Sequence, residues 1–214
     1  MKKIMFNDRY GLTQAVIEGR KTMTRRIMNP QPMDCSAIHR NYWDADWSDK
    51  PMSLVVDKDT AGIYCEYCGN GVIWYEGVCP YKAKFKVGEI VAVAQSYKDS
   101  GVNPNEIEIS IYSPGYGNKM YVRADIMPHQ IRITGIKCER LQDISDEECL
   151  KEGINASNSH EIGYGIPWVY EFAGSKMVYY TPREAFASLI DKVSGRGTWK
   201  SNPWVVAYEF KLVE

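Results

Sequence analysis

The stretch EGRKTMTRRIMNP, Glu18–Pro30, decides how the chain is read, because a glycine separates a helical pattern before it from a strand-like pattern after it. Upstream, Asn7 or Asp8 can cap a helix, Leu12, Ala15 and Val16 recur at helical spacing, and Gly19 suits the left-handed position that ends one. KTMTRRIM then reads as a strand entering from that glycine. Four of the eight residues from Gly19 to Arg26 are Lys or Arg. In a strand regular from its first residue, Lys21, Met23 and Arg25 share one face and Thr22, Thr24 and Arg26 the other. Lys21 and Thr24 can act together only if Lys21 still belongs to the turn after Gly19, a bend that glycine makes cheap. At this point the cluster reads either as a solvated basic edge that discourages strand-to-strand association or as the wall of a site.

The rest of the chain is not basic: 26 Lys plus Arg stand against 27 Asp plus Glu, a formal net charge of −1. That balance argues against a protein that coats duplex nucleic acid through one strongly basic face, so a nucleic-acid partner is expected to be met locally. At 214 residues and 44% hydrophobic content, one domain with embellishments is expected over residues 1–214. The start MKKIMFNDRYG has no apolar run long enough for a signal-peptide core, and no segment approaches the roughly 18 apolar residues of a membrane span. The chain is therefore expected in the cytoplasm, with no membrane partner.

Further along, FKVGEIVAVAQSYKD reads as a turn at Val87 and Gly88 followed by a strand through Ala94. EIEISIYS and KMYVRADI alternate and read as a hairpin pair, and QIRITGIKCERL as a strand broken or bulged at Gly135. Ser145 and Glu148 form a Ser-x-x-Glu capping box for a short helix. Pro182 suits the first turn of a helix with Phe186, Leu189, Ile190 and Val193 on its apolar face, and NPWVVAYEFKLV closes as a strand. Many strands with few helices point to an α+β fold built on a small mixed β-barrel with peripheral helices.

Between Pro30 and Pro80 this regularity is lost, and Pro32–Val78 reads as a lobe inserted into the domain. It contains Cys65-x-x-Cys68-Gly, the form of a zinc knuckle, with Cys79 as a natural third ligand and Cys35 as fourth, His39 being the substitute. Four thiolates would make a closed, structural zinc site ordering a lobe with too few aliphatic residues to fold alone. Free thiols in a small core are the other reading. No organic cofactor is expected.

Gly19, Lys21, Thr24 and Arg26 form Gly-x-Lys-x-x-Thr-x-Arg, and here the chain resembles the ASCH family, a branch of the PUA-like β-barrels. FKVGEIVAV, ERLQDISDEECLKEGI and GRGTWKSNPWVVAYEF extend the resemblance, in that order, to the phage and prophage members of the family, over most of the chain outside Pro32–Val78 and Asn155–Val178. The resemblance implies a PUA-like barrel that binds a modified nucleoside, nucleotide or RNA. In members that hydrolyse the amide of N4-acetylcytidine, a Lys, a Thr and a Glu form the catalytic set, which fall here on Lys21, Thr24 and Glu152. Other branches of the family are RNA-binding or ribonucleolytic, so the fold alone does not decide the activity. Phage-type relatives carry Arg-Glu-Thr-Trp where this chain has Ala94–Tyr97, so Gln95 stands in place of a Glu.

On chemical grounds the assignment is coherent. A threonine hydroxyl needs a base to become a nucleophile, a lysine can serve when burial or neighbouring cations lower its proton affinity, and Glu152 can orient it or return a proton. Glu152 lies just before Gly153, at a helix end where a carboxylate is disfavoured, which marks it as placed for another purpose. A structural Lys21–Glu152 ion pair is the plainer alternative. Gly19, Arg25, Arg26, Gln95 and Trp199 complete the expected ligand contacts. A host protein meeting the inserted lobe is a third kind of partner.

Overall fold

A computed structural model describes residues 1–29, 31–32, 54–56, 63–65, 73–74, 77–78, 83–103, 109–158 and 168–213. The strands are β1 (Lys2–Ile4), β2 (Met23–Ile27), β3 (Leu54–Val56), β4 (Ile63–Cys65), β5 (Ile73–Trp74), β6 (Gly77–Val78), β7 (Ile90–Val93), β8 (Gln130–Arg140), β9 (Asn155–Asn158), β10 (Trp168–Glu171) and β11 (Trp204–Val213). The α-helices are α1 (Leu12–Ile17), α2 (Asp146–Lys151), α3 (Pro182–Ser194) and α4 (Thr198–Ser201). The architecture is α+β, centred on a five-stranded mixed sheet of order β1-β7-β8-β11-β2. β1 and β7 run parallel and the remaining neighbours antiparallel. β9–β10, β3–β4 and β5–β6 are separate two-stranded pairs.

β1 and β2 are the outer strands, and among the described residues no ladder joins them. The chain just past β1 nevertheless reaches β2, where Arg26 Nη2 donates to the Met5 carbonyl at 2.6 Å and the guanidinium lies 5.8 Å from the Phe6 ring. A side chain thus bridges edges that backbone hydrogen bonds leave apart.

Alternation and register decide which residues face the core. In β11, Val206, Tyr208 and Phe210 are buried, while Ile131 and Ile133 of β8 are fully buried opposite the C-terminal half of that strand. The expected irregularity at Gly135 is a register shift: Glu209 pairs with Gly135 but Phe210 with Ile133, leaving Thr134 as the extra residue. Leu12 and Val16 of α1, Cys149 of α2, and Ala185, Phe186, Leu189 and Ile190 of α3 complete the main core. Val193 of α3 is by contrast 37% exposed.

Local sequence sets the helix starts. Thr181 Oγ1 accepts from Glu184 N at 3.1 Å, and Ser145 and Glu148 form the reciprocal box expected of them. The helix expected over Asn7–Gly19 divides at Gly11 into a 3-10 turn, Asp8–Tyr10, and α1. The hairpin expected over residues 106–126 is replaced, in its described part, by turns and two 3-10 helices, Lys119–Tyr121 and Ala124–Ile126. Tertiary anchoring outweighs alternation there. Asn118 caps the first 3-10 helix, Lys119 Nζ binds the Phe6 carbonyl and Asp8, and Tyr97 OH accepts from Arg123 N at 2.9 Å. Among the described residues no helix is long and apolar enough to cross a membrane.

Candidate functional site

Gly19, at φ 73°, ends α1 and turns the chain, and Lys21 N then donates to the Ala15 carbonyl at 2.9 Å. Thr22 N donates to the carbonyl of Lys151 at 2.9 Å, which fastens the turn to the end of α2. β2 begins only at Met23, so Lys21 belongs to the turn. Beyond it, Thr24 pairs with Tyr208 and Arg25 with Ala207, so successive side chains point to opposite faces.

Of the four cations, Arg20 and Arg26 are exposed while Lys21 and Arg25 are buried, which removes the solvated-edge reading for the latter two. Lys21 Nζ donates to the Met23 carbonyl at 2.7 Å, the Glu152 carbonyl at 2.8 Å and Glu152 Oε2 at 2.6 Å. These three acceptors take all the protons of an ammonium. The position of Glu152 at the end of α2 is thereby explained: Lys21 caps the same carbonyl terminus that would otherwise repel the carboxylate. Gly153 suits this position because its φ of 100° is one that side-chain-bearing residues rarely adopt, and a Cβ would also press to 3.3 Å from Leu12 Cδ2. Burial holds the Lys21 amine below the ordinary lysine range, while the Glu152 charge and hydrogen bond pull the other way.

Arg25 gathers three carboxylates. Its Nη2 meets Glu139 Oε1 at 2.6 Å and Glu148 Oε2 at 2.5 Å, and its Nη1 meets Glu152 Oε1 at 3.1 Å. Lys137 Nζ takes the remaining oxygens of two of them, Glu139 Oε2 at 2.8 Å and Glu148 Oε1 at 2.5 Å. Lys21, Arg25 and Lys137 therefore face Glu139, Glu148 and Glu152, and the cluster is balanced in charge. Burial works against the charge of Arg25, but Glu152, Glu139 and Glu148 outweigh it and raise the guanidinium above its ordinary range.

Burial also opposes ionisation of Glu148, yet the Lys137 hydrogen bond and the Arg25 charge prevail and hold its carboxyl below the usual 4.5. A carboxyl depressed in the fold contributes stability that is present above the unfolded value and lost as the pH falls through the folded one. Acidification from about pH 6 to about pH 3 is thus expected to lower the urea midpoint. Glu148→Gln should be less stable at neutral pH and show a shallower decline over that range; an unchanged slope would contradict the assignment.

Lys21, Thr24, Arg25, Arg26 and Glu152 all line one cavity of about 240 Å³. Phe6, Leu12, Leu189, Ile190 and Val193 supply its apolar wall, and Asn7, Ile27 and Ser194 complete it. Thr24 is 5% exposed, and among the described residues its hydroxyl has no hydrogen-bond partner. Arg26 has no carboxylate within salt-bridge distance among those residues, so it gives the otherwise balanced site its positive charge. The volume falls below the roughly 300–1,000 Å³ typical of pockets for drug-sized ligands and suits one small polar molecule with an apolar face.

The other expected contacts lie elsewhere. Gly19 shapes the turn and does not line the cavity. Gln95 follows β7, where its Nε2 donates to the Asp99 carbonyl at 3.4 Å and its buried Oε1 has no partner among the described residues. Trp199 packs edge-on against Phe186 at 6.1 Å and holds the Arg183 guanidinium 5.2 Å from its ring, both outside the cavity. The expected zinc ligands Cys35, Cys68 and Cys79, with His39, lie outside the described residues, as does the side chain of Cys65. Cys149 is a free thiol pushed up to about 12 by burial and is unsuited to nucleophilic work.

Sequence reasoning did not single out Glu139 or Lys137, and it treated Glu148 only as a capping residue. Glu148 does both, its Oε2 accepting from Ser145 N at 3.3 Å as well as from Arg25. The available signal was the polar alternation of Lys137 and Glu139 after the break at Gly135. A scan against protein-family models matches none, and searches of the curated proteins and of the solved structures return no match.

Proposed function

We propose that this chain is an ASCH-type protein whose five-stranded sheet belongs to a PUA-like barrel, and that its cavity binds an N-acylated nucleoside such as N4-acetylcytidine and hydrolyses the amide. One observation carries the reading: the buried Lys21–Glu152 pair, 2.6 Å apart, shares a cavity with the Thr24 hydroxyl, which has no hydrogen-bond partner among the described residues. In a low-dielectric site such a pair can exchange its charged form for a neutral amine and carboxylic acid, a change that burial of Lys21 favours. The neutral Lys21 amine takes the Thr24 proton as Oγ1 bonds to the acyl carbon, and the developing oxyanion faces Arg26. When the C–N bond breaks, the Glu152 proton passes to the leaving amine. Water then cleaves the acyl-threonine ester, releasing a carboxylic acid and restoring the hydroxyl.

The test is incubation of the full chain with N4-acetylcytidine and chromatographic detection of cytidine and acetate. Turnover that exceeds the buffer rate is expected. The rival reading is a non-catalytic nucleotide or RNA binder, favoured by the three acceptors that occupy Lys21. Salt-sensitive binding without turnover would select it. The structural zinc on Cys35, Cys65, Cys68 and Cys79 belongs to the same proposal and rests on their spacing. Metal analysis of reduced, unchelated protein should return about one zinc per chain, and a clearly substoichiometric value would remove it.

A further inference from the structure

Glu139 and Glu148 each place one oxygen on Arg25 and the other on Lys137, so the four residues close a ring of ion pairs. Arg25 is 1% exposed and has a third carboxylate, Glu152, on Nη1. Lys137 is 42% exposed and lines a different cavity of about 270 Å³, with Glu148, Lys151 and Glu209, that shares no lining residue with the candidate site. We propose that Lys137 is a remote positioning residue: by sharing Glu139 and Glu148 with Arg25, it leaves Arg25 able to hold the Glu152 carboxylate against Lys21.

Glu139, Glu148 and Glu152 compete for a single guanidinium. With Lys137 present, two carboxylates divide their charge between two cations. With Lys137 neutral, both lean on Arg25 alone, the cluster gains a net negative charge, and the 3.1 Å contact to Glu152 is the longest and first to yield. Glu152 is faced by Lys21 from the turn, by Arg25 and Arg26 from β2, and by Glu148 and Cys149 on its own helix. Glu148 is a like charge within the ring, and Arg25 is the cation that pairs both with the ring's carboxylates and with Glu152. Removing a carboxylate has the opposite sign: Glu139→Gln frees Arg25 toward Glu152.

The inference rests on the hydrolase reading for its kinetic arm only. Lys137→Gln is expected to lower kcat roughly 3- to 30-fold with little change in KM. The acid limb of its pH profile should move up by about half a unit or more, with Lys137→Arg restoring both. Carboxyl carbon NMR of glutamate-labelled protein, with the Glu152 signal assigned by Glu152→Gln, reads the same position without turnover. Glu152 should titrate higher in Lys137→Gln and lower in Glu139→Gln than in the unmodified chain. A Glu152 titration unmoved in both folded variants overturns the proposal, whether or not the protein hydrolyses anything. Absence of turnover with the titrations displaced in opposite directions would reject the hydrolase reading and retain the positioning role.

Discussion

Lys21→Met is expected to lower the folding free energy by about 3–5 kcal/mol, measured as a loss of urea midpoint at constant slope. Methionine approximates the volume of the lysine stem, so the cavity contribution is small. What is lost is electrostatic. Glu152, 5% exposed, keeps among the described residues only the 3.1 Å contact to Arg25 as an ion-pair partner, and the carbonyls of Met23 and Glu152 lose the Nζ donor. A buried polar group stripped of its partner costs more than the net worth of the bond it made. Glu152→Gln in the Lys21→Met background should recover part of the loss, because the amide carries no charge to strand. A change below about 1 kcal/mol in Lys21→Met would show that the pair contributes no more than a surface salt bridge.

Thr24→Val carries the largest expected effect on activity. The hydroxyl has no protein partner among the described residues, and valine keeps the branched shape at a position 5% exposed. Stability should therefore change by less than about 1 kcal/mol. Hydrolysis of N4-acetylcytidine should fall on the order of 10³-fold or more, since the acyl group is transferred to this hydroxyl and the cavity's other one, Ser194, stands at the end of α3. Binding of the unreactive product should persist. Turnover within about tenfold of the unmodified chain would transfer the nucleophile to water and end the role proposed for Thr24.

What the sequence made legible was local. The cap at Ser145, the proline-started helix at Pro182, the turn at Gly19 and the irregularity at Gly135 depend on residues within a few positions of one another. That Lys21 could leave the strand pattern was likewise an option opened by one glycine, and β2 does begin only at Met23. The ion ring was not legible, because Arg25, Lys137 and Glu148 are brought together by strand register and helix docking rather than by spacing. Trp199 shows the same limit from the other side. An aromatic next to Gly197 and Lys200 looks available for a ligand, and only the packing of α3 reveals that Phe186 and Arg183 occupy it. The apparent hairpin over residues 106–126 failed for a comparable reason, since its alternation was real but Tyr97 and Asp8 claimed its backbone and Lys119.

The extra residue in β8 has a meaning beyond local geometry. Residues 131, 133, 137 and 139 are all odd, and in an unbroken strand they would share a face. Thr134 interrupts the count, so Ile131 and Ile133 pair with Leu212 and Phe210, whereas Lys137 pairs with Ala207 on the face of Arg25. The two ends of β8 are thereby kept in opposite phase by one exposed residue. Loss of a single codon at Thr134 would force a choice between a dry core and a complete ion ring. At that position the chain's length carries more information than its chemistry.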